Sequence, residues 1–189
     1  MAGVLLIISG PSGVGKSTIC RELAERPDAF LSVSATTRKR RENEVDGRDY
    51  YFVTTEAFER SIAEGRCLEY AKVYGGQYYG TPIEPVLNNL EAGKIVILEI
   101  EIEGTLQVKK RFPQAVAIYI LAPTAADQQR RLVGRRSEDP EALAERLSKA
   151  DGEIRYAQES GAYDYFLVNH DVDETVEAII RIVKEKQKA

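Results

Sequence analysis

The sequence predicts an α/β fold: a mainly parallel sheet with flanking helices, a small mixed α/β insertion and a helical lid. Three observations carry this. Apolar runs recur at Val4 to Ile8, Ile95 to Ile100, Val116 to Leu121 and Tyr165 to Val168, and they are continuous rather than alternating, as in strands covered on both faces. Helix-like segments separate them, so the strands can be joined by crossovers and lie parallel. The stretch from Ser32 to Gly80 differs in texture: its short runs, rich in β-branched and aromatic residues, mark an insertion.

The first run leads into Gly10-Pro11-Ser12-Gly13-Val14-Gly15-Lys16-Ser17, which fits the pattern G-x-x-x-x-G-K-[ST], with Thr18 following. Its glycines let successive NH groups turn into one concavity that a phosphate oxygen can fill. Lys16 reaches the outer phosphates, Ser17 offers a hydroxyl to Mg²⁺, and the helix from Ser17 to Glu25 adds its positive end. Strand, loop and helix in this order give a P-loop NTPase-type core. Next, Ser32 to Thr37, Tyr50 to Val53 and Leu68 to Tyr74 read as strands, with a helix from Glu56 to Glu64. Thr81-Pro82 reads as an N-cap with proline in the first turn of a helix ending near Gly93, although Pro85 allows a start two or three residues later. Thr124 with Asp127 resembles a capping box and opens a second insertion, Thr124 to about Gln158, whose two helices meet at the polar joint Gly134 to Asp139. That insertion reads as a lid. Asp139-Pro140-Glu141 and Asp173-Glu174 are further helix starts, the latter for a last helix reaching Lys186.

Composition excludes several function classes. A net charge of -4 argues against a general nucleic-acid or membrane-surface binder, which needs a basic excess. No segment approaches the length of a membrane span, and the start of the chain runs into the first strand without a secretory leader, so a soluble, cytoplasmic protein is expected. Cys20 and Cys67 lie far apart without a CxxC, which suggests neither a disulfide framework nor a zinc site. His170 is the sole histidine, so no histidine triad or multi-histidine metal site can be built. The basic residues nevertheless cluster: Arg38-Lys39-Arg40-Arg41 form one group, and Arg130, Arg131, Arg135, Arg136 and Arg146 a second. Beside a phosphate loop, both groups are expected to face phosphates.

Several separated motifs now combine. They are S-G-P-S-G-V-G-K-S-T at Ser9 to Thr18, S-V-S-A-T-T-R-x-x-R at Ser32 to Arg41, and E-V-D-G-R-D-Y-Y-F-V at Glu44 to Val53. L-E-Y-A at Leu68 to Ala71, Y-G-T at Tyr79 to Thr81, I-L-E-I-E at Ile97 to Glu101 and the lid pattern R-L-x-x-R followed by R-L complete the set. Over nearly its whole length the sequence resembles the guanylate kinases. The resemblance implies a core of residues 1–33, 81–123 and 159–189, a GMP-binding insertion at 34–80 and a lid at 124–158. It implies reversible in-line transfer of the γ-phosphoryl group of Mg·ATP to GMP. The partners are then two small molecules, ATP and GMP, with no nucleic acid or membrane, and monomer and dimer both remain open.

The implied roles agree with the chemistry of the residues. Gly10 to Thr18, Arg131 and Asn169 fall at ATP positions, and Lys16, Arg38, Arg131, Arg135 and Arg146 at positions acting on the transferring phosphoryl group. Arg38 and Arg41, supported by the hydroxyls of Tyr50 and Tyr79, clamp the GMP phosphate with planar forks of donors. Guanine offers adjacent NH donors and a carbonyl, which suit a carboxylate beside a hydroxyl; Glu69 and Ser34 occupy those places, and Thr81 joins them on the GMP side. Glu99, Glu101 and Glu103 alternate with Ile100 and Ile102, as if on one face of a strand end. Glu101 is assigned to the base, Glu99 to the metal through water and Glu103 to structure.

Departures from the family pattern concern glutamates where aspartate is common, Arg136 and Ser137 in place of glycine and threonine, and a loop from Gly75 to Thr81 one residue longer than usual. In that loop Tyr79 faces the phosphate if positions are counted from the following glycine, and Tyr78 if counted from the other end. The family also contains modules that hold phosphorylated peptides in the monophosphate cleft. Lys16 and the three matching lid arginines favour the kinase, while Ser34 and Glu69 argue against a kinase of ribose bisphosphates.

Overall fold

The structure, a computed structural model, describes residues 3–73, 75–133 and 151–188. Five parallel strands, β1 (Val4–Ser9), β2 (Ala29–Leu31), β7 (Ile95–Glu99), β8 (Val116–Leu121) and β9 (Tyr165–Val168), form the central sheet in the order β2-β7-β1-β8-β9. Leu6 of β1 stands opposite Ile97 on one side and Val116 on the other. The strand order reverses about β1, so the loop leaving its carboxyl end opens into the crevice where such sheets bind ligands.

Alternation along the strands builds a core on each face. Leu6, Ile8, Ile97 and Ile118 pack against Ile19 and Leu23 of α1 (Lys16–Ala24) and Ile179 and Val183 of α7 (Val172–Lys186). On the other face Leu5, Ile7, Val96, Leu98 and Ala117 meet Val86 of α3 (Ile83–Glu91) and Val108 of α4 (Ile102–Arg111). Each such valine, leucine or isoleucine contributes about 1.5–3 kcal/mol by leaving water. The phosphate loop thus stands on a rigid base.

The insertion is a second, mixed sheet in which β3 (Ala35–Thr36), β4 (Tyr51–Phe52), β5 (Cys67–Lys72) and β6 (Tyr78–Pro82) take the order β4-β3-β6-β5. β3 and β4 run parallel, and the other pairs are antiparallel. Under it lies α2 (Thr55–Ala63), N-capped by the Thr54 hydroxyl, with buried Phe58 stacked on Tyr78 at 5.2 Å. Thr124 accepts from the Asp127 amide at 3.0 Å, the expected cap of α5 (Ala125–Val133). The helical residues 151–160, α6, pack Ala157 beside Tyr119 and Ile102. No helix among the described residues is long and apolar enough to cross a membrane.

The structure corrects four sequence expectations. The strand expected over Ser32 to Thr37 is divided between the sheets: β2 ends at Leu31, Ser32 donates its amide to Ile97, and only Ala35–Thr36 enters the second ladder. Thr81 lies in β6, which ends at Pro82; Pro82 is then the N-cap residue of α3, without a side-chain bond, and the helix begins at Ile83 with Pro85 in the first turn, where no amide is needed. The last helix starts at Val172, because Asp171 accepts from the amides of Asp173 and Glu174. Finally, β7 stops at Glu99. Glu101 is the N-cap residue of α4 and Glu103 lies in its first turn, so the three glutamates do not share a strand face. Tyr74 and the joint from Gly134 to Asp139, with the helix start at Asp139-Pro140-Glu141, lie outside the described residues.

Candidate active site

β1 hands the chain to a loop that only glycine can make at its first residue. Gly10 has φ 146°, and a Cβ there would stand 2.3 Å from the carbonyl oxygen of Ile120. The loop's outward carbonyls are held from behind. Asn169 Nδ2 donates to Val14 at 2.8 Å, Arg131 donates to Val14 and to Asn169 at 3.2 Å each, and Gln128 Nε2 donates to Ser12 at 2.8 Å. The Asn169 amide oxygen accepts from Thr175 at 3.0 Å, and the residue is 1% exposed. Asn169 therefore braces the loop with its whole amide.

At the mouth of the loop, Lys16 Nζ donates to the carbonyl of Gly10 and, at 3.2 Å, to that of Pro11, and lies 4.0 Å from Glu101. Ser17 Oγ donates to Glu99 Oε1 at 2.7 Å. Thr18 is exposed in the first turn of α1. Beyond them a cavity of about 470 Å³ runs from Lys16 and Ser17 to Glu44 and Tyr50, and a second of about 420 Å³ runs from Tyr50 to Glu69 and Gly104. Ser34, Tyr50, Glu99 and Glu101 line both, so the two are halves of one cleft.

One wall is an aromatic cage around Arg38. Its guanidinium lies 5.4 Å from the Tyr50 ring centroid and 5.6 Å from that of Phe52, and Nε donates to the Tyr79 hydroxyl at 3.1 Å. The fork is filled by Glu44, with both carboxylate oxygens accepting at 2.9 and 2.8 Å. The Arg38 guanidinium, helped by the Arg41 amide, holds the Glu44 carboxyl down at about 2. Tyr50 packs edge-on against Tyr79 at 5.9 Å, and burial raises its hydroxyl above the ordinary tyrosine value. Tyr78 lies on the opposite face of β6, donating to Glu59 at 3.1 Å, so geometry groups Tyr79 with Arg38. The Arg41 residue is exposed and reaches this cluster through its amide.

The other wall presents Glu69, 6% exposed, whose Oε1 accepts from Thr81 Oγ1 at 2.6 Å across the β5–β6 ladder. Burial pushes the Glu69 carboxyl up, and the Thr81 bonds partly offset this. Its Oε2 faces Gly104, where a Cβ would intrude to 2.7 Å. Glu101 lies nearer the phosphate end with its side chain 75% exposed, and Glu103 accepts from Tyr156 of α6 at 3.0 Å.

A family model described as Guanylate kinase matches residues 3–186. The chain belongs to the guanylate kinase family. It is 48% identical over 182 residues to a guanylate kinase of Caldanaerobacter subterraneus subsp. tengcongensis, covering 96% of this chain and 86% of the relative. A guanylate kinase of Synechocystis sp. is 45% identical over 186 residues, covering 98% and 95% respectively. The crystal structure of guanylate kinase from Anaplasma phagocytophilum superposes with a TM-score of 0.79 at 33% identity, covering all of this chain and 88% of that one. The activity is that of an ATP:GMP phosphotransferase, forming ADP and GDP.

For this guanylate kinase family member, Lys16, Ser17, Ser34, Arg38, Tyr50, Glu69, Tyr79, Thr81, Glu99 and Glu101 are gathered at the cleft. Arg131 and Asn169 meet behind the loop instead, and Arg135, Arg136, Ser137 and Arg146 lie outside the described residues. Glu44, Gly104 and Gln128 were not singled out by sequence. An acid three residues after Arg41 in a basic cluster was the available signal for Glu44. The other two are defined by contacts that cross the chain.

Proposed function

We propose that the cleft aligns Mg·ATP on the phosphate loop with GMP between Arg38 and Glu69. The observation that carries this reading is the shared lining of Ser34, Tyr50, Glu99 and Glu101, which makes phosphate site and base site one continuous space. In-line transfer between two anions depends on positioning and on cancelling charge. Lys16 turns from the Gly10 and Pro11 carbonyls to the outer phosphates of ATP, and the loop's NH groups receive the inner ones. Arg38 and Arg41 take the GMP phosphate with Tyr50 and Tyr79. Glu69 accepts guanine's paired NH donors while Thr81 keeps its carboxylate oriented, and Ser34 answers the carbonyl side. Adenine, with a lone pair at the matching ring nitrogen, would leave a buried carboxylate unpartnered at a cost of about 1–3 kcal/mol or more.

The Ser17–Glu99 pair suits magnesium, a hard ion that takes oxygen ligands and prefers one or two protein groups beside substrate phosphates. When bound, it neutralises phosphate charge. Among the described residues no group of three or more His, Cys, Asp or Glu side chains could hold a metal ion alone. We assign Glu101 to the space between Lys16 and the base, residues 34–80 to GMP capture, and residues 124–158 to a lid whose Arg131, Arg135 and Arg146 close over the phosphates. Closure would exclude water and suppress ATP hydrolysis. The protein acts on free nucleotides in the cytoplasm. The test is ADP formation from Mg·ATP with GMP, AMP, CMP, UMP or no acceptor in parallel. Turnover restricted to GMP is expected; equal rates with AMP would refute the base site.

A further inference from the structure

β5 is the outermost strand of the second sheet, so its outer side presents amides and carbonyls with no strand to pair them. α4 covers that edge with side chains. Tyr70 donates its amide to Gln107 Oε1 at 3.1 Å, and Gln107 Nε2 donates back to the Tyr70 carbonyl at 2.8 Å, a two-bond match of the kind a neighbouring strand would make. One turn further, Arg111 Nη1 donates to the carbonyls of Cys67 at 2.7 Å and Leu68 at 3.1 Å. Two successive carbonyls can meet one guanidinium because the β5–β6 register is irregular between Cys67 and Glu69.

These contacts bracket Glu69. Leu68 before it is held by Arg111, Tyr70 after it by Gln107, and Gly104 leaves the space its carboxylate occupies. Gly104, Gln107 and Arg111 stand at i, i+3 and i+7, one stripe of α4. The helix starts beside the phosphate loop, with Glu101 at its N-cap and Glu99, just before it, bonded to Ser17. α4 therefore sets the distance between the phosphate loop and the strand that carries the base-binding carboxylate.

We infer that Gln107 and Arg111 are positioning residues for guanine selection, acting on the β5 backbone so that Glu69 is held in register with the phosphate loop. Neither lines the cleft, and neither takes part in the backbone pairs of the β5–β6 ladder. The inference rests on Glu69 being guanine's partner, as proposed above. Gln107→Leu removes both bonds at similar size, Arg111→Met removes the donors, and Arg111→Lys keeps one. The measurements are KM and kcat for GMP, KM for ATP, GMP-against-AMP competition and melting temperature, with Glu69→Gln in parallel.

Gln107→Leu is expected to raise the GMP KM about tenfold and to lower the GMP:AMP preference, as loss of about one net hydrogen bond's worth of alignment predicts. The ATP KM should hold. Arg111→Met should behave likewise, and Arg111→Lys should recover most of the loss. An unchanged GMP KM and preference in Gln107→Leu, while Glu69→Gln erodes that preference, would overturn the inference and leave the base assignment standing. Equal rises in both KM values with a lowered melting temperature would overturn it as plain loss of structure. Unchanged preference in Glu69→Gln would remove the base assignment, and this inference with it.

Discussion

Gly104→Ala adds a single carbon to α4 and sets stability against recognition. Built on the present backbone, that carbon stands 2.7 Å from Glu69 Oε2, 3.2 Å from its Cδ and 3.4 Å from Ile100 Cδ1. Ordinary carbon–oxygen contact begins at about 3.3 Å. The carboxylate must therefore move by roughly 0.6 Å, beyond the roughly 0.5 Å within which a binding group stays productive. Its other oxygen is tied to Thr81 at 2.6 Å, so the movement also strains a buried, charge-assisted bond. Loss of one charge-assisted bond from the displaced Glu69 carboxylate to guanine is worth about 1.5–3 kcal/mol, or roughly 10- to 150-fold in GMP KM. The helix itself gains, since alanine is favoured over glycine by about 1 kcal/mol in a helix interior. A coupled ADP assay and a thermal melt separate the two effects: GMP KM should rise while the melting temperature changes little. Gly152→Ala serves as control, because a Cβ at that helical position meets nothing within 4 Å, and its GMP KM should not move. A Gly104→Ala enzyme with a GMP KM within about twofold of the parent would refute the reasoning.

The Glu44–Arg38 pair predicts a pH dependence. Glu44 titrates near 2 against an ordinary 4.5, so its stabilising effect is complete above the higher value and disappears as pH falls through the lower. Melting temperatures of the parent and Glu44→Gln should differ at neutral pH and converge in acid; parallel curves would show that the pair adds no pH-dependent stability. Asn169→Ala should lower stability by about 1–3 kcal/mol in urea unfolding, because Val14 and Thr175 lose a buried partner. It should also raise the ATP KM while sparing that of GMP. An unchanged ATP KM would confine Asn169 to the core.

What could be read from the chain in advance was local chemistry. The phosphate loop was legible because Gly10 to Ser17 carry their own geometry and sit between an apolar strand and a helix. Thr124 caps α5 through a bond from the Asp127 amide three positions on, a distance over which sequence signals hold. α4 was not legible. Ile100 and Ile102 alternate with acids as in a strand, yet Ile102, Thr105 and Val108 are the buried positions of a helix that begins at that point. Thr81-Pro82 carried a helix-start signal, but Thr81 pairs with Glu69 across a ladder between residues twelve positions apart. The resemblance puts Arg41 at the GMP phosphate and Asn169 near adenine; the structure adds contacts that sequence does not show, the Arg41 amide donating to Glu44 and Asn169 bracing Val14 behind the phosphate loop.

The cleft's cations face internal oxygens that resemble the substrates. Lys16 rests on the carbonyls of Gly10 and Pro11 near Glu101, and Arg38 grips both oxygens of Glu44 as it would a phosphate. On the proposed reading, a phosphate entering the Arg38 fork exchanges one anion for another while Lys16 gives up neutral carbonyls, and the GMP affinity is the difference between the two sets of bonds. Such an exchange keeps Arg38 in place, caged by Tyr50, Phe52 and Tyr79 whichever anion fills its fork. On the same reading, packing and Glu44 organise the Arg38 fork during folding, and the GMP phosphate has to displace the carboxylate that fills it.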